Sequence, residues 1–401
     1  MNTPFRTRTG IFTDKNVLKQ QYEPEEILER DEEIEAYANA LQDVVDGWEP
    51  DNVFVYGKTG VGKTAVTRYM MDMLRIEADQ RPDVDDVYVA EVNCHHHPSS
   101  YQAAIALVNE LREDTDREAI TTGLSTSDVL TALFEEIEAR EGTVLVVLDE
   151  IDNLGDDDVL LYQLPRAKAN GNIERSQVGV VGISNDYTFR NDLSSKVQDT
   201  LCEREIKFPP YDANELRTIL ADRAEKGLAE GVIDDSVIPK CAALAAQDRG
   251  SARQAIDLLR VGAEVAENQG EFRVTDEHIE RARERVQRGR LSDKIRDQTT
   301  HAQLVLETLA HLEDDGETPA RAKEIYELYQ NVAESWANEP LTTVRSVHSH
   351  LSDLRMLGFL KRYERNEGLS GGQYYEFELD DLDPELVFDT REDIEDVAGD
   401  S

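Results

Sequence analysis

Basic residues are scarce in this chain: 43 Lys and Arg stand against 84 Asp and Glu, a formal charge of −41 over 401 residues. Such a balance excludes generic adhesion to polyanions and confines any such contact to a local exception. Cysteine is scarcer still. Cys94, Cys202 and Cys241 are odd in number and far apart, which argues against a disulfide framework and fits a reducing compartment. Long apolar runs are missing too. No stretch approaches 18 consecutive apolar residues, and the opening "MNTPFRTRTGIFTDKN" has no apolar h-region, so the expectation is a soluble cytoplasmic protein without a membrane partner. The hydrophobic fraction of 39% and the periodicities below exclude disorder as the cause of the acidity.

The order of the patterns divides the chain. After a polar start, "PEEILERDEEIEAYANALQDVVDGW" places Ile27, Leu28, Ile34, Ala38, Leu41 and Val45 at helical spacing. "NVFVYGKTGVGKTAVTRYMMDML" reads as a short buried strand, a glycine loop and a helix. "VYVAEVNC", "TVLVVLDEID" and "VGVVGISN" are further strand-length apolar runs, separated by helical segments at 101–112 and 127–140. Strands alternating with helices predict an α/β fold with a doubly wound parallel sheet over residues 1–211. Beyond "FPPY" (208–211) only helical patterns remain, predicting a small helical domain over 212–297. Residues 298–385 then show helix, helix, helix and hairpin, the winged-helix order, and 386–401 reads as an acidic tail, mobile after about 390.

The motif with the most chemistry is "GKTGVGKT" at 57–64, a full match to G-x-x-x-x-G-K-S/T between a strand and a helix. Gly57, Gly60 and Gly62, with Lys58, Thr59 and Val61 between them, let backbone N–H groups curl round phosphate oxygens; Lys63 reaches the β- and γ-phosphates and Thr64 offers a hydroxyl to Mg²⁺. Some 85 residues after Thr64, "VLVVLDEID" ends a strand in Asp149, suited to hold Mg²⁺, and Glu150, suited to activate a water. A strand ending in "GISND" puts Asn185 beside that pair if the strands are neighbours. "NCHHHPSS" at 93–100 raises a metal site on Cys94, His95, His96 and His97, against the alternative of a polar loop; the adjacent spacing lacks the gaps of a zinc knuckle.

Local charge departs from the global balance in two places. Residues 281–296 carry seven basic and two acidic side chains, and residues 342–365 carry five against two. In "TTVRSVHSHLSDLRMLGFLKR" (342–362), Val344, Val347, Leu351, Leu354 and Leu357 form one apolar face. The other face presents Thr343, Arg345, Ser346, Ser349 and Arg355, groups suited to phosphates and base edges. Lys361, Arg362 and Arg365 follow on the strand and wing, with Gly371 and Gly372 allowing a tight tip.

In this order, "YEPEEILERDEEI", "VYGKTGVGKT", "VLVVLDEIDNL", "GVVGISND", "IKFPPYDANEL", "GSARQAIDLLR" and the closing winged helix resemble the archaeal Orc/Cdc-type replication initiators, AAA+ ATPases with a helical lid, over nearly the full length. Its Asp, Glu, Thr and Val usage with few Lys is similar to that of haloarchaeal proteins, whose carboxylate surfaces suit molar salt. The resemblance implies ATP/ADP with Mg²⁺ as cofactors, an adenine pocket of Tyr22, Pro24 and Ile27 with Tyr211 nearby, Asn185 as the first sensor and Arg253 as the second. It implies that helix 101–112 belongs to an insertion that approaches DNA. The partners it implies are double-stranded origin DNA, paralogous initiator subunits and the MCM helicase, with ATP hydrolysis as a slow switch in a nucleoid-associated protein. One departure stands out. Where the family carries L-D-P-R-V-x-S-S-L, this chain has "LSSKVQDTL", so Lys196 occupies the place of the Arg that reaches a neighbour's ATP, with Arg190 or Arg204 as alternatives. A signalling ATPase of the STAND kind, using its winged helix for protein or promoter contacts, is the competing reading.

Overall fold

The computed structural model describes residues 10–82, 84–113, 115–186, 188–366 and 373–399, without the side chains of 192 and 395–399. It divides into two compact units, residues 1–282 and 283–401. In the first, five parallel strands lie in the order β2-β3-β4-β1-β5: β1 (Val53–Gly57), β2 (Val87–Asn93), β3 (Thr143–Asp149), β4 (Gln177–Ser184) and β5 (Arg204–Phe208). Every residue of β3 is buried because it has a strand on each side and a helical layer on each face. Val144, Val146 and Leu148 face the layer of α3 (Ser100–Arg112) and α4 (Thr126–Glu138), completed by α5 (Val159–Gln163), α6 (Phe189–Asp192) and α7 (Ser195–Leu201). Leu145 and Val147 face α1 (Asp31–Val45) and α2 (Lys63–Asp79).

Two sequence expectations change here. The helix expected from Pro24 starts only at Asp31, because Glu29 takes a left-handed φ of 59° and Arg30 turns its side chain inward. Residues 24–30 are thereby left as a loop beside the glycine loop. Strand β5 was not expected from pattern: only Ile206 and Phe208 of "REIKF" are buried, too short an alternation to stand out at a sheet edge. The helices α8 (Ala213–Gly227), α9 (Val237–Asp248) and α10 (Ala252–Gln269) belong to the same compact unit as the sheet. Asp212 starts α8 with a capping box, its carboxylate accepting from Asn214 and Glu215 N–H while Glu215 accepts from the Asp212 N–H.

Helix α11 (Asp276–Arg296) carries the chain across the division. The second unit contains α12 (Thr300–Asp314), β6 (Ala320–Arg321), α13 (Ala322–Ser335), α14 (Val344–Met356), β7 (Leu360–Asn366), β8 (Gln373–Leu379) and α15 (Pro384–Gly399). Its sheet has the order β6-β8-β7, and Leu304, Leu309, Ile325, Tyr329, Leu351 and Phe377 are among its core residues. The segment expected as an acidic tail has regular structure over its described residues. Residues 384–399 are helical, with Leu386 and Val387 in the core. The composition misled because the acidic residues alternate with an apolar and polar face that finds its partner only on α12.

That face ends in a buried cation. Arg391, 1% exposed, donates from Nη1 to Gln303 Oε1 at 2.7 Å and from Nε to Glu307 Oε2 at 3.4 Å. Trp336 Nε1 donates to the same Glu307 carboxylate at 2.7 Å. Removing one member of a buried pair leaves the other charge uncompensated. Arg391→Ala should therefore destabilise this unit by about 3 kcal/mol, measured by urea unfolding followed through Trp336 emission in a Trp48→Phe background.

Candidate nucleotide site and nucleic-acid interface

Strand β1 delivers the chain into the loop 57–62, and α2 begins at Lys63, so the loop's N–H groups and the helix N-terminus face the same space. Gly60 and Gly62 have φ of 80° and 95°, a backbone that side chains rarely adopt. Contact adds to conformation at both. A Cβ on Gly60 would collide with Ser251 Oγ, and one on Gly62 would stand 2.9 Å from the Tyr211 hydroxyl.

Sheet order then brings the second set of groups to the loop. Because β4 lies between β1 and β3, Asn185 sits between the glycine loop and the acidic pair. Lys63, 5% exposed, donates from Nζ to the carbonyls of Gly57 (2.8 Å) and Lys58 (2.9 Å) and to Asn185 Oδ1 (2.8 Å). Burial lowers its pKa to about 8. Asn185 Nδ2 donates to Glu150 Oε1 at 3.0 Å, so one amide joins the loop lysine to the glutamate. Thr64 Oγ1 donates to Asp149 Oδ2 at 2.8 Å, and burial holds Asp149 above the usual carboxylate range. Asp152, not singled out from sequence, fixes Asn185: its Oδ1 accepts from Asn185 N–H at 3.0 Å and from Ser184 Oγ at 2.8 Å. Its signal was its place in "DEID", two residues beyond Glu150.

These groups floor a cleft of about 640 Å³. Tyr22, Pro24, Ile27, Thr59, Gly60, Gly62, Lys63, Thr64, Asp149, Glu150, Asn185, Tyr211 and Arg253 all line it. Gly57, Lys58 and Val61 do not: the first two present carbonyls to Lys63, and the Val61 side chain is fully buried in the α1–α2 layer. The helical lid adds Ile219, Arg223 and Ile256. The Arg223 guanidinium lies 4.3 Å from the Tyr22 ring centroid, a pairing that no local pattern announces. Lys196 is exposed on α7 and does not line the cleft. Its alternatives are engaged within the chain, Arg190 with Glu205 and Arg204 with Asp51 at 2.7 Å. Cys94 is fully buried and burial pushes its thiol up to about 12, while His95 and His96 are exposed. Among the described residues no group of three or more His, Cys, Asp and Glu side chains is placed to hold a metal ion.

In the second unit, Thr343 is the N-cap of α14: its Oγ1 accepts from Ser346 N–H at 3.1 Å and pairs with Ser346 Oγ at 2.9 Å. Arg345, Ser349 and Arg355 are exposed and Ser346 is half-buried. The apolar face is narrower than the spacing suggested. Val347, Leu351 and Leu354 are buried, but Val344 and Leu357 are 37% and 48% exposed because they lie at the helix ends, past the core. The strand cations do not form one strip either. Pleating puts Lys361 and Arg365 on one face, where they pair with Asp380 (2.8 Å) and Glu376 (2.9 Å) of the β8 side. Arg362 is on the other face, 4.2 Å over the Tyr375 ring. Gly371 and Gly372 lie outside the described residues.

Comparison with known proteins agrees with this arrangement. Residues 26–173 match the AAA ATPase domain, a nucleotide-binding family; residues 217–284 match the Cdc6 AAA+ ATPase-type lid domain, and residues 293–390 the C-terminal winged-helix domain of CDC6. The chain is 68% identical to the ORC1-type DNA replication protein 8 of Halobacterium salinarum, over 99% of this chain and 100% of that one. It is 39% identical to the ORC1-type DNA replication protein of Thermococcus kodakarensis, over 90% and 86% of the two chains. The solved structure of the Aeropyrum pernix ORC1 protein in complex with DNA superimposes with a TM-score of 0.82 at 36% identity, covering 96% of this chain and 97% of that one. With its phosphate loop, lid and winged helix in this order, the chain belongs to the ORC1-type family of DNA replication proteins.

Proposed function

We propose that the protein is an ATP-controlled initiator that binds duplex DNA at a replication origin and takes part in loading the replicative MCM helicase. The observation that carries the reading is the Lys63–Asn185–Glu150 connection beneath the lid, in a chain that also holds a winged helix. A single amide touching both the phosphate-binding lysine and the glutamate is placed to register a γ-phosphate. Glu150 orients and activates the attacking water, Arg253 leans from the lid onto the phosphates, and Tyr22, Pro24, Ile27 and Tyr211 hold the adenine side. The Thr64 hydroxyl and Asp149 carboxylate, 2.8 Å apart, fit Mg²⁺, whose hard-oxygen preference they meet and whose charge would offset that of the phosphates. With Lys196 in place of a guanidinium fork, hydrolysis assisted by a neighbouring subunit is slow, which suits a switch.

The DNA side of the reading rests on α14 and on the Aeropyrum pernix relative solved with DNA. Thr343, Arg345, Ser346 and Ser349 present one hydrogen-bonding edge, and Arg362 is stacked on Tyr375 with no carboxylate partner among the described residues, so it is available to a phosphate. Lys361 and Arg365 must exchange carboxylate partners for phosphate to contribute, which costs them part of the gain.

Glu150→Gln should retain ATP while turnover falls about 100-fold, and Lys63→Ala should lose nucleotide; equal turnover in wild type and Glu150→Gln would remove Glu150 from this role. Arg345→Ala and Arg362→Ala should each weaken binding to origin duplex by about 1–3 kcal/mol, measured by fluorescence anisotropy at several salt concentrations. No binding by the wild type, with ATP binding intact, would favour a protein-docking winged helix instead.

A further inference from the structure

Arg30 is 2% exposed and is used by nothing described so far. It precedes α1, and its guanidinium reaches the back of the glycine loop. Nε and Nη2 both donate to the Val61 carbonyl, at 3.2 and 2.8 Å; Nη2 also donates to the Pro209 carbonyl at 2.8 Å, and Nη1 to Glu33 Oε1 at 3.1 Å. Its flat face lies 3.6 Å from the Tyr211 ring centroid. A buried cation so fully engaged with backbone carbonyls holds those carbonyls in place.

In a planar trans peptide the carbonyl of one residue and the N–H of the next point in opposite directions. Fixing the Val61 carbonyl toward Arg30, behind the loop, therefore turns the Gly62 N–H to the opposite side, where Gly62 lines the cleft. The preceding peptide is held in the same manner, since the Gly60 carbonyl accepts from Ala252 N–H of the lid at 2.9 Å. The link from β5 into α8 at Pro209–Asp212, taken as the hinge of the lid, closes the circuit: Tyr211 N–H donates to the Gly250 carbonyl at 2.9 Å, and the Tyr211 hydroxyl abuts Gly62. Loop, hinge and lid start are thus tied in one ring, with Arg253 following directly from Ser251 and Ala252.

We infer that Arg30 is a positioning residue for nucleotide binding: by clamping the Val61 and Pro209 carbonyls it aims the glycine-loop N–H groups at the β-phosphate before the nucleotide arrives, and it ties the loop to the lid hinge. The inference rests on the reading of the loop as a phosphate cradle. Pre-aimed donors lose less freedom on binding, so the gain falls on ligands that reach them. AMP, which lacks a β-phosphate, does not benefit.

The test is calorimetric titration of ADP and AMP into the full chain, wild type, Arg30→Lys and Arg30→Met, with folding checked by circular dichroism. Lysine keeps the charge and loses the fork. Both variants should bind ADP about ten-fold or more weakly while AMP affinity changes by about two-fold or less. Equal losses for ADP and AMP would mark Arg30 as a general support of the fold, and unchanged ADP affinity would remove it from the site; either result overturns the inference. Wild type that binds neither nucleotide would overturn the cradle reading with it. Should both variants unfold, Glu33→Gln, at a residue outside the cleft, loosens the hold on the guanidinium and leaves Arg30 in place; an ADP loss of about three-fold with AMP affinity changed by less than about two-fold supports the inference, and no loss overturns it.

Discussion

A lysine ammonium that is 5% exposed must be surrounded by oxygen, and the way Lys63 meets that requirement organises the first unit. Two of its acceptors are carbonyls of its own loop, which forces the tight curl that only glycine at positions 60 and 62 tolerates. The third is Asn185, which reaches it only because β4 is the neighbour of β1. The strand order is thus a condition for satisfying the charge, and the charge in turn holds the Asn185 amide between loop and glutamate. Because the same amide also meets Glu150, the loop, Asn185 and Glu150 form one connected set.

The same economy of buried cations appears behind the loop and in the second unit. Arg30 is held by carbonyls, a carboxylate and two aromatic faces, and Arg391 by Glu307, Gln303 and the Trp336 ring. In a chain of charge −41, basic residues are few and most of those described here are committed to a carboxylate partner. Lys361 and Arg365 on β7 show what this means for a surface cation. Asp380 and Glu376 order these side chains and would discount their attraction for any phosphate. At about 1 M salt the Debye length is about 3 Å, so only charges in contact act on one another. Global acidity then does not oppose local binding.

How much was legible beforehand differed by kind of signal. The glycine loop, Asp149, Glu150 and the lid's "GSAR" are contiguous strings whose chemistry is local, and each sends residues into the cleft: Thr59, Gly60, Gly62, Lys63 and Thr64 from the loop, the acidic pair, and Ala252 and Arg253 from the lid. The three-helix order and hairpin of the second unit followed from periodicity. What misled was composition and periodicity taken without partners. The acidic end looked like a tail until α12 covered its apolar face, Val344 and Leu357 looked buried because their spacing matched, and β5 had too few apolar residues to be seen.

The sequence by itself determined the glycine loop and most of the strands and helices, because a turn, a cap and a hydrophobic period each involve residues only a few positions apart. The tertiary structure alone decided the strand order that carries Asn185 between Lys63 and Glu150, the reach of Arg30 to Val61 and Pro209, and the pairing of Lys361 and Arg365 with β8. These contacts join residues up to some 180 positions apart, as Arg30 and Pro209 are, and their distances follow from packing around a sheet rather than from any local pattern.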